Sequence, residues 1–438
     1  MSVELITILM FVCLVLLLVT GLPLVFCLGA AAAIFAFFLW GPLAIAVLAR
    51  SMFTYMNNFV LVCIPLFIFM AHMLERSGLA DDLYTMMHNW FGPIRGGLAM
   101  GTVMICTVFA AMSGVSAAGT LTMGLIALPA MLKRGYSKDI ATGCIAAGGA
   151  LGVLIPPSVA FVVYCTLSVQ SVGRLFMGGI FPGLLLSFLF ILYIGIRCGL
   201  RPSQGPPLPP EERADWRAKA ISLRAVILPI LLVVGVLGSI FSGMATPTEA
   251  AAVGAFGSIV CAAVYRRLSW KGFKEAAYGS IQTTCMVMWI IGAAAAFASI
   301  YTGLGATELV RSTIEGLRVN PIVIIILMQL SLFILGMFLD PNGIMLITLP
   351  IYIPIVTALG FDLVWFGVLF VMNMEMAYLT PPFGWNLFYL KGVSPPGVTI
   401  QDIYRSIIPF VALQAIGLAI VLAVPNIAMY LPNLIMGE

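Results

Sequence analysis

Uninterrupted apolar runs of about 17 to 25 residues, joined by short polar segments, recur along the whole chain of 438 residues, and a helix of that length crosses a hydrocarbon layer of about 30 Å. The runs are continuous rather than striped at period 3.6, so they read as membrane spans and not as amphipathic core helices. Charged residues make up 9% of the chain and hydrophobic ones 62%. An ordinary soluble domain carries roughly 25% charged residues, so no water-facing surface can be assembled here. The formal charge is +4, but the basic residues are scattered among the joints instead of forming a stripe, which argues against nucleic acid as a partner. The nine cysteines stand singly without CxxC spacing, so packing is their expected role and neither a disulfide framework nor a zinc site is expected. The first run follows Glu4 without a basic leader region or a small-residue cleavage site, and is expected to be a retained span.

Apolar blocks fall at about 3–20, 22–40, 52–74, 97–111, 117–132, 137–170, 174–197, 223–242, 247–265, 276–300, 320–338, 343–358, 362–393 and 403–426. The pairs 97–111/117–132 and 320–338/343–358 are short halves joined by polar tips, Ser113-Gly-Val-Ser116 and Asp340-Pro-Asn-Gly343, which suits two re-entrant helical hairpins. Blocks 137–170 and 362–393 are too long for one untilted span, and each is interrupted by a double proline, Pro156-Pro157 and Pro381-Pro382. Each is expected to be one crossing unwound near its middle, because proline removes a helix donor and clashes with the preceding turn. An outward N-terminus then places 17 of the 21 Lys and Arg on the inner side, leaving Arg50, Arg174, Arg311 and Arg318 outside. A multi-pass protein of a bacterial inner membrane with a periplasmic N-terminus is expected. The charge count supports the orientation, whereas re-entrance rests on block length and on the repeat.

Sliding the chain against itself by 225 residues aligns Leu121 with Leu346, Pro129 with Pro354 and Gly135 with Gly360. The break Leu154-Ile-Pro-Pro with Tyr164 meets Leu379-Thr-Pro-Pro with Tyr389 in the same register. Block 52–74 would run inward and its counterpart 276–300 outward, so the copies form an inverted repeat with the site near the midplane of their interface. The expected organisation is scaffold spans over 1–74, an inner amphipathic arm at 75–96, a first transport half at 97–197 and a Pro-rich cytoplasmic linker at 198–222. Further scaffold spans at 223–300, an outer amphipathic arm at 301–318 and a second transport half at 319–426 complete it.

Hydroxyls and freed carbonyls concentrate at the tips and breaks: Ser113, Gly114, Ser116, Gly119, Thr120, Pro156 and Ser158 in the first copy; Asp340, Asn342, Gly343, Thr380 and Asn386 in the second. Such oxygens bind small hard cations such as Na⁺, and half-helix N-termini favour anionic groups. Small hydroxyl residues also serve simply to pack helices closely. Asp340 and Glu375 are the acids placed deepest in apolar sequence, which makes both candidates for function. Asp340 either balances a bound cation or caps its tip; Glu375, one turn before the second break, is either a ligand or held protonated. His72 and His88 flank the inner arm, where an interfacial role is expected in preference to metal ligation. No GxSxG, HExxH or Walker loop occurs, so ATP does not power transport within this chain and a membrane-embedded enzyme is disfavoured.

With Ala245-Thr-Pro-Thr-Glu-Ala-Ala-Ala-Val-Gly254, Leu379-Thr-Pro-Pro-Phe-Gly-Trp-Asn-Leu-Phe388 and Leu154-Ile-Pro-Pro-Ser158, the chain resembles the large membrane subunit of tripartite ATP-independent periplasmic (TRAP) transporters over essentially its whole length. The resemblance implies an all-α elevator fold of the ion-transporter superfamily and Na⁺-coupled uptake of an organic acid, with no covalent cofactor. It also implies two separate partners, a small four-span membrane subunit and a soluble periplasmic substrate-binding protein. The family's hairpin serines fall on Ser113 and Ser116, its broken-helix serine on Ser158 and its hairpin acid on Asp340; Na⁺ would then lie among Ser113, Ser116, Ser158, Asp340 and Thr380. Phe383 and Trp385 stand where smaller residues are common in the family. Glu249 begins a span at the outer face, where helix capping or scaffold packing is the plainer role. A stand-alone Na⁺- or H⁺-coupled carboxylate carrier of the same superfamily is the nearest rival.

Overall fold

The computed structural model describes residues 2–305, 308–309, 319–339 and 341–437, and every regular element among them is helical. Asp340, the side chain of Asn342 and most of the expected outer arm lie outside the described residues. The chain opens with α1 (Val3–Val19), α2 (Leu24–Trp40) and α3 (Ile45–Met56), followed by α4 (Cys63–Arg76) and α5 (Leu79–Phe91). Helices α6 (Gly97–Ser113) and α7 (Ser116–Lys133) form a hairpin joined only by Gly114 and Val115. Then come α8 (Lys138–Ala150), α9 (Val159–Ser168) and the long α10 (Val172–Leu200). After the linker run α11 (Trp216–Ser222), α12 (Arg224–Phe241), α13 (Pro247–Val264) and α14 (Trp270–Gly303). A second hairpin, α15 (Pro321–Gly336) and α16 (Pro341–Ala358), precedes α17 (Leu363–Ala377), α18 (Trp385–Val393), α19 (Ile400–Ala423) and α20 (Asn426–Met436).

Among the described residues seven helices are long and apolar enough to cross a membrane, and the hairpin arms α6 and α15 are shorter apolar helices. The long block 137–170 is broken as expected. Helix α8 tightens into a 3₁₀ turn at Leu151–Val153, the two prolines supply no N–H, and the Ser158 hydroxyl accepts from Phe161 N to start α9. Block 362–393 also breaks at its double proline, between α17 and α18, with Gly384 at the N-cap and no side-chain cap, and both Pro-Pro peptide bonds are cis. At the 225-residue offset α7 and α16 share both of their ends, and α8 and α17 begin together.

Three helical boundaries differ from the sequence blocks. The run 52–74 is not one helix: the Asn57 side chain donates to Phe53 O at 2.8 Å to close α3, and the Asn58 side chain accepts from Val60 N to open a new turn. Two adjacent Asn thus act as a stop and a start inside an apolar run. Helix α14 begins six residues earlier than its block, capped by Ser269, and spans 34 residues. Beyond the last block, α20 follows Pro425 and packs on α10 through Ala428, Met429 and Pro432.

Small residues set the closest approaches. Helix α13 lies against α4, where a Cβ at Gly254 would stand 2.7 Å from the Met70 sulfur, and α14 packs on α2, α3 and α4. Thr246 and Glu249 form a reciprocal cap at the start of α13, with Thr246 N donating to Glu249 Oε2 at 2.8 Å, so Glu249 serves the capping role. Helix α8 is buried along its length from Ile140 to Ala150 between α7, α6 and α19. The Pro-rich linker is not a free tether. Gly96 N donates to Gly205 O, Leu208 N to Gly92 O and Ser137 N to Gln204 O, while Arg134 pairs with Glu212 at 2.7 Å. These contacts strap it across the bases of both arms of the first hairpin.

Candidate functional site

The first hairpin tip is pressed into the first break. Gly114 takes φ +63°, and a Cβ there would stand 2.2 Å from the Pro157 carbonyl oxygen, while Val159 N donates to Gly114 O at 3.4 Å. The second copy repeats the contact with other residues: Phe383 N in the break donates to Met337 O at the end of α15. A tip and a break therefore form one unit in each copy, and two further contacts join the copies. Asn386, at the start of α18, donates through Nδ2 to Ala146 O of α8 at 3.2 Å, and a Cβ at Gly124 of α7 would meet Val393 of α18.

Ser113 and Ser116 are buried at the end of α6 and the start of α7, and the Ser113 hydroxyl donates to Val115 O at 3.3 Å. Gly119 brings α7 beside Gly149 of α8, and Thr120 packs on the same glycine while donating to Ser116 O. The Ser158 hydroxyl donates to Val153 O across the break that Pro156 opens. Thr380 is buried and donates to Met376 O at 2.7 Å. Gly343 lies in the first turn of α16. The Ser113, Thr120, Ser158 and Thr380 hydroxyls each give their proton to a carbonyl and keep lone pairs for a further partner. Asn386 Oδ1 is buried with no hydrogen-bond partner.

Ser116 belongs to the wall of a cavity of about 730 Å³ that Gly114, Val115, Ala117, Val159, Ala160, Pro341 and Trp385 also line. Four half-helix N-termini, those of α7, α9, α16 and α18, thus border one space. The positive ends of these helix dipoles point to the rim and favour an anion there, although Val159 N and Phe161 N of α9 and Asn386 N of α18 are already engaged within the protein. The opposite wall comes from α2, α4 and α14, through Leu24, Ile68, His72, Thr283 and Ile290 among others.

His72, for which an interfacial role is expected in preference to metal ligation, lines this wall with Glu75 and Arg76. Its Nδ1 lies 3.4 Å from Glu75 Oε2, and Arg76 pairs with Glu275 of α14 at 2.5 Å. Spacing along the chain carries no sign of this, because the cavity forms only when α4 packs opposite the hairpin tips. Tyr378, Trp385 and Tyr389 also line the cavity and were not singled out as site residues. The nearest available signal was the bulk of Trp385 at a helix break. His88 instead sits on α5 beside Tyr84, where burial, and then Arg134, hold its pKa below the ordinary value. No cluster of His, Cys, Asp and Glu that could hold a transition metal occurs among the described residues, and the nine cysteines are free thiols.

Glu375 and Asn373 are wholly buried on α17 and face different neighbours. Asn373 donates to the main-chain and side-chain oxygens of Gln329 on α15 at 2.7 and 2.9 Å, whereas Glu375 accepts from Gln414 of α19 at 2.9 Å. Neither residue lines the cavity, although Met374 and Tyr378 of the same segment do.

Residues 11–427 match a family described as "Tripartite ATP-independent periplasmic transporter, DctM component". The chain is 32% identical to the C4-dicarboxylate TRAP transporter large permease protein DctM of Vibrio cholerae, covering 98% of each. It is 35% identical to the isethionate TRAP transporter permease protein DctMQ of Oleidesulfovibrio alaskensis, covering 94% of this chain and 64% of that one. The fold is shared with the solved structure of Neisseria gonorrhoeae MtrF, with a TM-score of 0.63 at 12% identity over 97% of this chain and 94% of that one.

Proposed function

As the chain belongs to the DctM-component family of TRAP transporters, a family of membrane permeases and not of enzymes, we propose that it translocates an organic acid across the bacterial inner membrane, coupled to Na⁺. The cavity bordered by four half-helix N-termini carries this reading, since such a rim binds anionic groups without needing fixed cationic side chains. The relatives' names point the same way: C4-dicarboxylates and isethionate are both small organic anions.

The oxygens at the first tip and break fit a hard cation. The Ser113 and Ser116 hydroxyls, the Ser158 hydroxyl and the carbonyls freed by Pro156 and Pro157 are all hard donors, and Thr380 offers the equivalent oxygen in the second copy. Asp340 and Asn342 would complete the set at the second tip. Na⁺ is cargo here, and its charge offsets part of the anion's while both cross the low-dielectric interior.

The two copies are read as an inverted repeat, with the hairpins and broken helices as the moving body of an elevator and α1 to α4 with α12 to α14 as the scaffold. Support comes from the recurrence of hairpin, break and long helix at one offset, and from a cavity walled by the moving set on one side and by α2, α4 and α14 on the other. The N-terminus would face the periplasm. A small membrane subunit and a periplasmic binding protein would complete the transporter, and the wide apolar faces of α1 and α12 suit lipid or that subunit. The part of the isethionate permease that this chain does not span is where a second component would lie.

Proteoliposomes holding the chain with its small subunit should take up an organic acid only when an inward Na⁺ gradient and the loaded binding protein are both supplied. Uptake by the chain alone would make it a stand-alone carrier, and uptake indifferent to Na⁺ would remove the coupling.

A further inference from the structure

Glu375 and Gln414 face each other inside the second copy, both buried, with Gln414 Nε2 donating to Glu375 Oε1 at 2.9 Å. Two atoms of this pair have no hydrogen-bond partner: Glu375 Oε2 and Gln414 Oε1. With the acid ionised both are acceptors, and neither can satisfy the other. A proton on Oε2 turns it into a donor, the amide carbonyl is the pair's other unpartnered atom, and the second of two antiparallel hydrogen bonds in an acid–amide pair can then form. One proton thus removes both defects. Exchanging the amide's nitrogen and oxygen leaves the same count, because a carboxamide always presents one donor and one acceptor along this edge.

The ionised alternative needs a cation, since a bare carboxylate in a low-dielectric interior is strongly disfavoured. Among the described residues, the charged side chains and tyrosines on the elements packed against α17 are paired elsewhere or exposed. Arg174 of α10 pairs with Asp362 at the opposite end of the helix, and Tyr164 of α9 donates to Leu363 O there. Arg197 of α10 pairs with Asp139, Asp402 of α19 with Lys138, Tyr404 with the Pro382 carbonyl, and Tyr352 of α16 with Ser331. Arg405 of α19 and Tyr430 of α20 are exposed.

We propose that Glu375 is carried through the transport cycle as a neutral carboxylic acid, locked to Gln414, and is a fastener between α17 and α19 and not a Na⁺ ligand. The acid then contributes no charge to the proposed moving body, leaving any carboxylate at the tips and breaks to Asp340. This deepens the proposed function by removing one candidate from the ion site. It stands whether or not the body moves as an elevator.

Glu375→Gln preserves the pairing, because an amide N–H replaces the acid O–H. The variant should keep wild-type Na⁺ dependence and thermal stability in detergent, whereas Gln414→Leu should lower the melting temperature by leaving both ends of the acid unpaired. Replacing both residues by Met should restore stability lost in Gln414→Leu. Infrared spectra of the purified chain should show a protonated carboxylic C=O band at neutral pH that is missing from Glu375→Gln. Absence of that band, or a Glu375→Gln variant that is folded by melting temperature but needs about tenfold more Na⁺, would overturn the proposal. Loss of Na⁺ coupling in wild type would instead count against the proposed function and leave the infrared result standing.

Discussion

Gly114 shows how narrowly a single residue is specified at the site. Its left-handed φ of +63° costs an L-residue about 1 kcal/mol or more, and an added Cβ would overlap the Pro157 carbonyl oxygen. The listener to that strain is backbone, which cannot swing aside as a long side chain could. Gly114→Ala should therefore lift the hairpin tip off the break and cut uptake by about tenfold or more, with a smaller loss of thermal stability, measured on the same preparation. A variant transporting at the wild-type rate would show that the tip and break need not touch. Asp340→Ala should remove a charged oxygen, a change worth about 1.5 to 3 kcal/mol where it meets a cation, and so weaken Na⁺ activation of uptake by about tenfold to a hundredfold. Unchanged Na⁺ activation in a folded variant would take Asp340 out of the ion site.

At the scale of elements, the breaks were legible because proline acts locally: Pro156-Pro157 and Pro381-Pro382 interrupt helices wherever the rest of the chain lies. The hairpins were legible from short apolar arms flanking a polar tip. The interruption at Asn57-Asn58 was not, since Asn inside a helix and Asn capping one look alike until the side chains choose their partners. Nor was the cavity wall: His72, Tyr378, Trp385 and Tyr389 meet the hairpin tips only through tertiary packing. The Pro-rich linker reads as a spacer by composition, yet its carbonyls and amides are used in holding the bases of α6 and α8. Ser203 remains exposed on it, which gives a handle on orientation. In a background lacking the native cysteines, Ser203→Cys should react with an impermeant thiol reagent in inverted vesicles and be shielded in intact spheroplasts. Labelling from the outer face would invert the whole topology.

For the whole molecule, the question is whether the two tip-and-break units travel together. They are joined across the copies by Asn386 reaching Ala146 and by α7 packing on α18 at Gly124 and Val393, so displacing one unit alone would tear buried contacts. Against α2, α4 and α14, by contrast, the units share the walls of the 730 Å³ cavity, with α6, α7 and α9 touching α4 and α16 touching α14 beside it. Moving the ligand shell with the ligand keeps the binding contacts intact as the site changes sides, whereas opening the shell in place would expose buried hydroxyls and carbonyls to hydrocarbon. Paired cysteines separate the two mechanisms. A bifunctional thiol reagent bridging Gly124→Cys to Val393→Cys lies within the proposed body and should leave uptake nearly unchanged, provided the doubly substituted chain transports before cross-linking. Bridging Val115→Cys to Ala71→Cys ties a hairpin tip to α4 across the cavity and should stop uptake, with recovery on cleaving a reducible reagent. Continued uptake through the second bridge, confirmed complete by gel mobility, would show that the tips do not move against α4 and that the site opens locally.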